Sequence, residues 1–351
     1  MESKKNRMRI AIIADPYIAV PPDKYGGIER IITLLIEGCL SKGHEVTLFA
    51  HPASKVKCRL IPYGIPPHKG PFIRVQEVLQ IWGQLTPQRN DFDIIHSFGR
   101  LVGLLPLYFS RVPKVQSYQR SISRRNVLIA SALAGRSIFF TACSDNCRQY
   151  GQLPGQWATV YNAVPIERYD FIPKVADDAP LIFLGRIERI KGVHTAIDIA
   201  LATGKRLIIA GNIVPQGHSY VYFKEKIEPR IDGKQITYVG EIDDVQKNKL
   251  LGQSAALLMP IEWEEPFGIV MVEALACGTP VIGFKRGAVP EVVEDGVNGF
   301  ICQTKEAMAA AVGRLKEINR SKCRRIAEER FSDRVVVDQY LTLYKDLITR
   351  R

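Results

Sequence analysis

The segment RIAIIADPYIAVPPDKYGGIERIITLLIEGCLSKGHEVTLFA (residues 9–50) sets the architecture. RIAIIA is a short apolar run without alternation, the pattern of a strand buried on both faces. DPYIAVPPDKYGG is a Pro- and Gly-rich loop, IERIITLLIEGCLSKG repeats its apolar residues at helical spacing, and HEVTLFA is a second buried strand. Strand, loop, helix and strand in that order form a βαβ unit, whose crossover makes the two strands parallel.

Strand candidates DIIHSF (93–98), KVQSY (114–118), SIFFTAC (137–143) and ATVYN (158–162) alternate with helical stretches to about residue 165. After VPIERYDFIPKVADDAP the same grammar restarts with LIFLGR, helix KGVHTAIDIALATG and strand RLIIAG. It continues through ITYVG (236–240), helix DVQKNKLLGQ, strand AALLMP (255–260), helix FGIVMVEALACG and strand PVIGF. The fold class is therefore α/β, with two doubly wound parallel-sheet domains. The first spans residues 1–170 and the second 175–334. Ligands of such sheets bind at the carboxyl ends of the strands, so a cleft between facing strand ends is expected. The tail from Lys305 reads as helices, the last being DRVVVDQYLTLYKDLITRR with Ser332 as its cap.

A chain of 351 residues, 46% apolar and 24% charged, suits two folded domains and shows no low-complexity tract or repeat period. Its apolar runs are too short to span a membrane and MESKKNRMRI lacks a signal core, so a cytoplasmic protein is expected. The seven cysteines are an odd number, and Cys143 and Cys147 are spaced CxxxC; packed thiols are expected rather than a metal or redox site. The net charge of +12 is uneven: residues 1–170 hold 22 Lys+Arg against 12 Asp+Glu, leaving 26 against 24 for the rest. A field of that sign attracts anions such as an acidic lipid surface or an acidic acceptor. No aromatic-interleaved basic motif or nucleic-acid module accompanies it, so no nucleic acid partner is expected.

The densest chemistry lies in EEPFGIVMVEALACGTPVIGF (264–284). Pro266-Phe267-Gly268 interrupts the periodic segment just after AALLMP, so a helix starts near Phe267 and offers its unpaired amides and positive dipole end to an anion. Glu265 lies beside that site and Glu273 about two turns into the helix. Carboxylates so near a phosphate are favourable where they accept bonds from sugar hydroxyls, and a nucleotide-sugar carries both groups. Arg186, at the end of LIFLGR, and Lys191, opening the next helix, bring two cations to another strand end. Tyr25-Gly26-Gly27-Ile28-Glu29 lets backbone amides approach a ligand but is not GxGxxG, which counts against a dinucleotide cofactor. His96, ending DIIHSF, reads as a structural hydrogen-bonder by its position. Asp91-Phe92-Asp93 precedes its strand and so points to the wrong sheet edge for a metal site.

Together these segments resemble, over nearly the full chain, the retaining nucleotide-sugar-dependent glycosyltransferases of the family 4 class, which share a two-Rossmann fold called GT-B. The most specific part is E-x7-E at Glu265 and Glu273, followed by PEVVEDGVNGF, with GRIERIKG and GGIER as supporting matches. The resemblance implies that Arg186 and Lys191 hold the donor diphosphate, Glu273 the ribose and Glu265 the transferred sugar, near the amides of Phe267, Gly268 and Ile269. It implies that His96 faces the sugar from the first domain, that Gly26 and Gly27 approach the donor, and that the final helix, from about 335 to 351, joins the first domain. Phe98, Ala163 and Asn212 depart from the family pattern. No metal or other cofactor is expected. The expected partners are a nucleotide-sugar donor, a sugar or lipid-linked acceptor and an anionic membrane surface. An epimerase of the same architecture would turn over the donor alone, and a non-catalytic membrane- or RNA-binding scaffold would have no need to keep Arg186, Lys191, Glu265 and Glu273 together.

Overall fold

Runs such as IAII and ALLM are buried on both sides because helices cover each face of a parallel sheet, which is why they lack alternation. The computed structural model describes residues 7–22, 26–64, 71–148 and 153–350. The chain divides into two compact units, Met1–Ala163 with Asp333–Arg351 and Val164–Ser332.

In the first unit, β1 (Arg9–Ile13), β2 (Glu45–Ala50), β3 (Arg59–Pro62), β4 (Ile94–Ser97), β5 (Lys114–Tyr118), β6 (Ile138–Ala142) and β7 (Trp157–Thr159) form one sheet in the order β3-β2-β1-β4-β5-β6-β7. Every pairing is parallel, with Ile12 between Leu48 and His96. Its helices are α1 (Gly27–Ser41), α2 (Pro71–Gln88), α3 (Arg124–Ala134) and α4 (Asp145–Arg148). In the second unit, β8 (Leu181–Leu184), β9 (Leu207–Ala210), β10 (Ile236–Tyr238), β11 (Ala256–Met259), β12 (Val281–Phe284) and β13 (Gly299–Cys302) take the order β10-β9-β8-β11-β12-β13, again wholly parallel. Its helices are α5 (Val193–Thr203), α6 (His218–Tyr222), α7 (Asp244–Gln253), α8 (Ile269–Ala276), α9 (Val289–Val292), α10 (Lys305–Gly313) and α11 (Arg320–Phe331). The last helix, α12 (Asp333–Thr349), packs on α1 in the first unit.

Both sheets thus have the Rossmann strand order, and each has a switch point where the winding reverses: β1/β4 in the first, β8/β11 in the second. The sequence reading missed β3, a half-exposed edge strand ending in Pro62, and β13, whose four residues follow the turn at Gly296. It placed β7 at 158–162, whereas pairing covers only Trp157–Thr159. Short edge strands carry little burial pattern and are set by their neighbour's hydrogen bonds. Tyr25 lies outside the described residues. Six of the seven cysteines are buried, and no described helix is long and apolar enough to cross a membrane.

Candidate active site

Three loops of the second unit, following β8, β11 and β12, meet at its switch point through backbone contacts that only glycine permits. Gly192 has φ +75°, and a Cβ there would lie 1.9 Å from the Pro260 carbonyl oxygen. Gly287 has φ +54°, and its Cβ would lie 2.4 Å from the Glu265 nitrogen. L-residues rarely adopt such φ values, so both sequence positions are dictated by the close approach. Backbone bonds lock the same contacts: Glu262 N–H to Ile190 O at 2.8 Å, and Ala288 N–H to Glu265 O at 3.0 Å. The Gly287 amide also donates to the Glu264 carboxylate at 2.8 Å.

This convergence brings Lys191 to Glu265. Lys191 Nζ donates to Glu265 Oε2, which also accepts from Trp263 Nε1 at 3.0 Å, and the ammonium lies 5.0 Å from the centre of the Trp263 ring. Lys191 occupies a 3₁₀ turn, Arg189–Lys191, one step before α5, with left-handed Gly192 as the cap between them. Arg186 is held instead by Glu188, 2.9 Å from its guanidinium, and its side chain remains about one-third exposed. The Ile187 amide donates to the Asn212 carbonyl at 3.1 Å, tying the loops after β8 and β9.

Helix α8 starts at Ile269, two residues later than expected, because Gly268 adopts the left-handed conformation as its N-cap. The Phe267 side chain packs inward against Phe331. Glu273, on the first turns of α8, is 4% exposed. Its Oε1 accepts from Lys247 Nζ at 2.6 Å and from the Tyr169 hydroxyl at 2.9 Å. Lys247 is itself buried on α7, whose start is fixed by an Asp243–Gln246 capping box. Burial, the Glu273 charge and its hydrogen bond hold the Tyr169 phenol well above its ordinary range. Lys247, Tyr169 and Trp263 were missed in the sequence; a lysine at a buried position of the helix DVQKNKLLGQ was the available signal.

In the first unit, Gly26 is hemmed in by Pro22 and by the Glu29 carboxylate, whereas a side chain on Gly27 would meet nothing within 4 Å. Glu29 is buried, and desolvation pushes its carboxyl upward. A carboxyl group therefore already stands at the start of α1, where the glycine pair suggested an approaching ligand. His96 corrects the expectation that it faces a sugar. It has no exposed surface, its Nδ1 lies 2.5 Å from the Tyr344 hydroxyl and its Nε2 2.6 Å from Ser117 Oγ, and Phe98 and Tyr340 cover its ring. Burial drops its pKa to about 3, so the ring is neutral. His96 is the structural hydrogen-bonder that its strand position suggested.

Residues 166–332 match the model of glycosyl transferases group 1, and residues 25–168 that of glycosyltransferase family 4. N-acetyl-alpha-D-glucosaminyl L-malate synthase of Bacillus anthracis is 28% identical over 48% of this chain and 45% of its own length. Phosphatidyl-myo-inositol mannosyltransferase of Mycobacterium leprae is 24% identical over 97% of this chain and 98% of its own. Among solved structures, sucrose-phosphate synthase of Thermosynechococcus elongatus superposes with a TM-score of 0.81 at 19% identity, covering 98% of this chain and 100% of that one. HepE of Anabaena, solved with UDP and glucose, superposes at 0.75 and 22% identity, covering 97% and 100%. Two family models that together run from residue 25 to 332, on two sheets of Rossmann order, make this chain a member of the family 4 glycosyltransferases of GT-B fold.

Proposed function

We propose that the chain is a retaining glycosyltransferase that moves a sugar from a nucleotide-sugar donor to a saccharide or lipid-linked acceptor. The observation that carries the reading is the Lys191–Glu265 pair beside the start of α8, at the β8/β11 switch point. The donor diphosphate takes the Lys191 ammonium and the amides at 267–269, with Arg186 swinging from Glu188 to join them. Glu265 then accepts from hydroxyls of the transferred sugar, and Glu273 from the ribose. Negative charge grows on the diphosphate as the glycosidic bond breaks, and fixed cations and amides stabilise it there, so the reaction needs no metal. Retention, with the acceptor attacking from the face the diphosphate leaves, rests on the family resemblance; an inverted linkage by NMR would refute it.

HepE, solved with UDP and with UDP-glucose, supports a nucleotide-sugar donor. The name of the mannosyltransferase, with the basic first unit, supports a lipid-linked acceptor. The deciding experiment screens UDP-, GDP-, ADP- and dTDP-sugars for thermal stabilisation. A bound donor at about 100 times its Kd adds about 2.7 kcal/mol, and the shift should vanish in Lys191→Ala. No shift with any donor would overturn the proposal.

A further inference from the structure

From Ile94 to Ser144 the chain contains no Asp or Glu and seven Lys or Arg. Of these, Lys114 is buried, its Nζ donating to the Leu107 and Ser110 carbonyls at 2.6 and 2.7 Å. Arg100, Arg111, Arg124, Arg125 and Arg136 are exposed. The same stretch, with α2, forms a helical layer on the first sheet. Ile81 and Leu85 of α2, Leu104 and Leu107 of the 3₁₀ segment Leu101–Leu107, and Val127 and Ala130 of α3 share one core beneath it.

The outer side of that layer is apolar as well as basic. Helix α3 buries Val127, Ala130 and Ala134 and turns Leu128, Ile129 and Leu133 outward. Arg124 and Arg125 stand one turn before this stripe and Arg136 lies in the 3₁₀ turn that follows the helix, so cations bracket the exposed aliphatic side chains of α3. Val75 and Leu79 project one turn apart from α2, Val102 is tied to α2 by the Trp82 indole at 3.0 Å, and Phe109 is 80% exposed beside Arg111. Seven of the fifteen large exposed apolar side chains among the described residues lie in this layer, too many for the single scattered residues of an ordinary surface.

We propose that this face, centred on α3, docks on an anionic lipid surface, with Leu128, Ile129 and Leu133 entering the headgroup–acyl boundary and the arginines pairing with lipid phosphates. Nucleic acid would use the cations but leave the aliphatic stripe in water. A second copy would set two basic faces against each other. The inference rests on the reading of a lipid-linked acceptor, which such docking would bring to the first unit, but its test needs neither donor nor acceptor.

Flotation would be measured with phosphatidylcholine vesicles and with vesicles also containing phosphatidylglycerol, at low and high salt. Wild type should float with the anionic vesicles only, and less at high salt. Arg124→Glu/Arg125→Glu and Leu128→Ser/Leu133→Ser should each lower that partitioning by about tenfold or more. Lys316→Glu/Lys322→Glu, on the second unit, should leave it unchanged. Stabilisation of the variants by donor, read in parallel, separates a lost docking face from a lost fold or a mistaken donor. The proposal is overturned if wild type does not float, if either α3 variant floats as wild type does, or if the chain is a dimer that Leu128→Ser/Leu133→Ser dissociates.

Discussion

Lys191 and Glu265 hold each other, and under the proposed function the donor has to break that hold to use either. Removing Lys191 should therefore cost turnover much more than fold: Lys191→Ala is expected to lose about 10²-fold in kcat with an unchanged circular dichroism spectrum. Glu273 is a different case, because its partner Lys247 is buried with it. Lys247→Met would strand a buried carboxylate and should destabilise the second unit by about 3 kcal/mol, while the double variant with Glu273→Leu should lose less, a coupling that chemical denaturation would measure. His96 gives a pH signature. Its folded pKa is about 3 against 6.5 unperturbed, so between those values the unfolded chain binds a proton that the folded chain refuses. Wild-type stability should fall by up to about 1.4 kcal/mol per pH unit below pH 6.5 relative to His96→Gln, and equal slopes would refute the buried neutral ring.

At the scale of elements, glycine decides whether the loops of the second unit meet. Gly192→Ala would drive a Cβ into the Pro260 carbonyl and demand a backbone shift, whereas Gly27→Ala finds open space. The first is expected to lower both melting temperature and donor stabilisation, and the second to leave the melting temperature within a few degrees of wild type. These motifs were readable because each requirement is local: the left-handed cap that starts α8 needs Gly268, and a helix face needs its apolar spacing. The Lys247–Glu273–Tyr169 cluster was not readable, since its members lie on α7, on α8 and ahead of β8 and meet only through folding.

On the scale of the whole molecule, α12 returns to the first unit and seals its polar interior. Tyr340 and Tyr344 on α12 are wholly buried, with hydroxyls against Ser117 and His96. Truncation after Ser332 should expose that interior and abolish protection of β4 and β5 in hydrogen exchange, while the second unit keeps its own protection; retained protection of β4 would contradict this packing. Two parallel α/β units were legible in the chain alone, as were Arg186, Lys191, Glu265 and Glu273 as candidates for the proposed donor site, because burial periodicity and loop-to-helix signals act over a few residues. Tertiary structure alone decided that His96 is sealed away, that Glu265 is paired with Lys191, that Glu29 fills the start of α1 and that the acid-free stretch presents an apolar basic face. Those outcomes depend on which strand ends become neighbours and which sides of α2 and α3 the core leaves uncovered, and neither is written in local spacing.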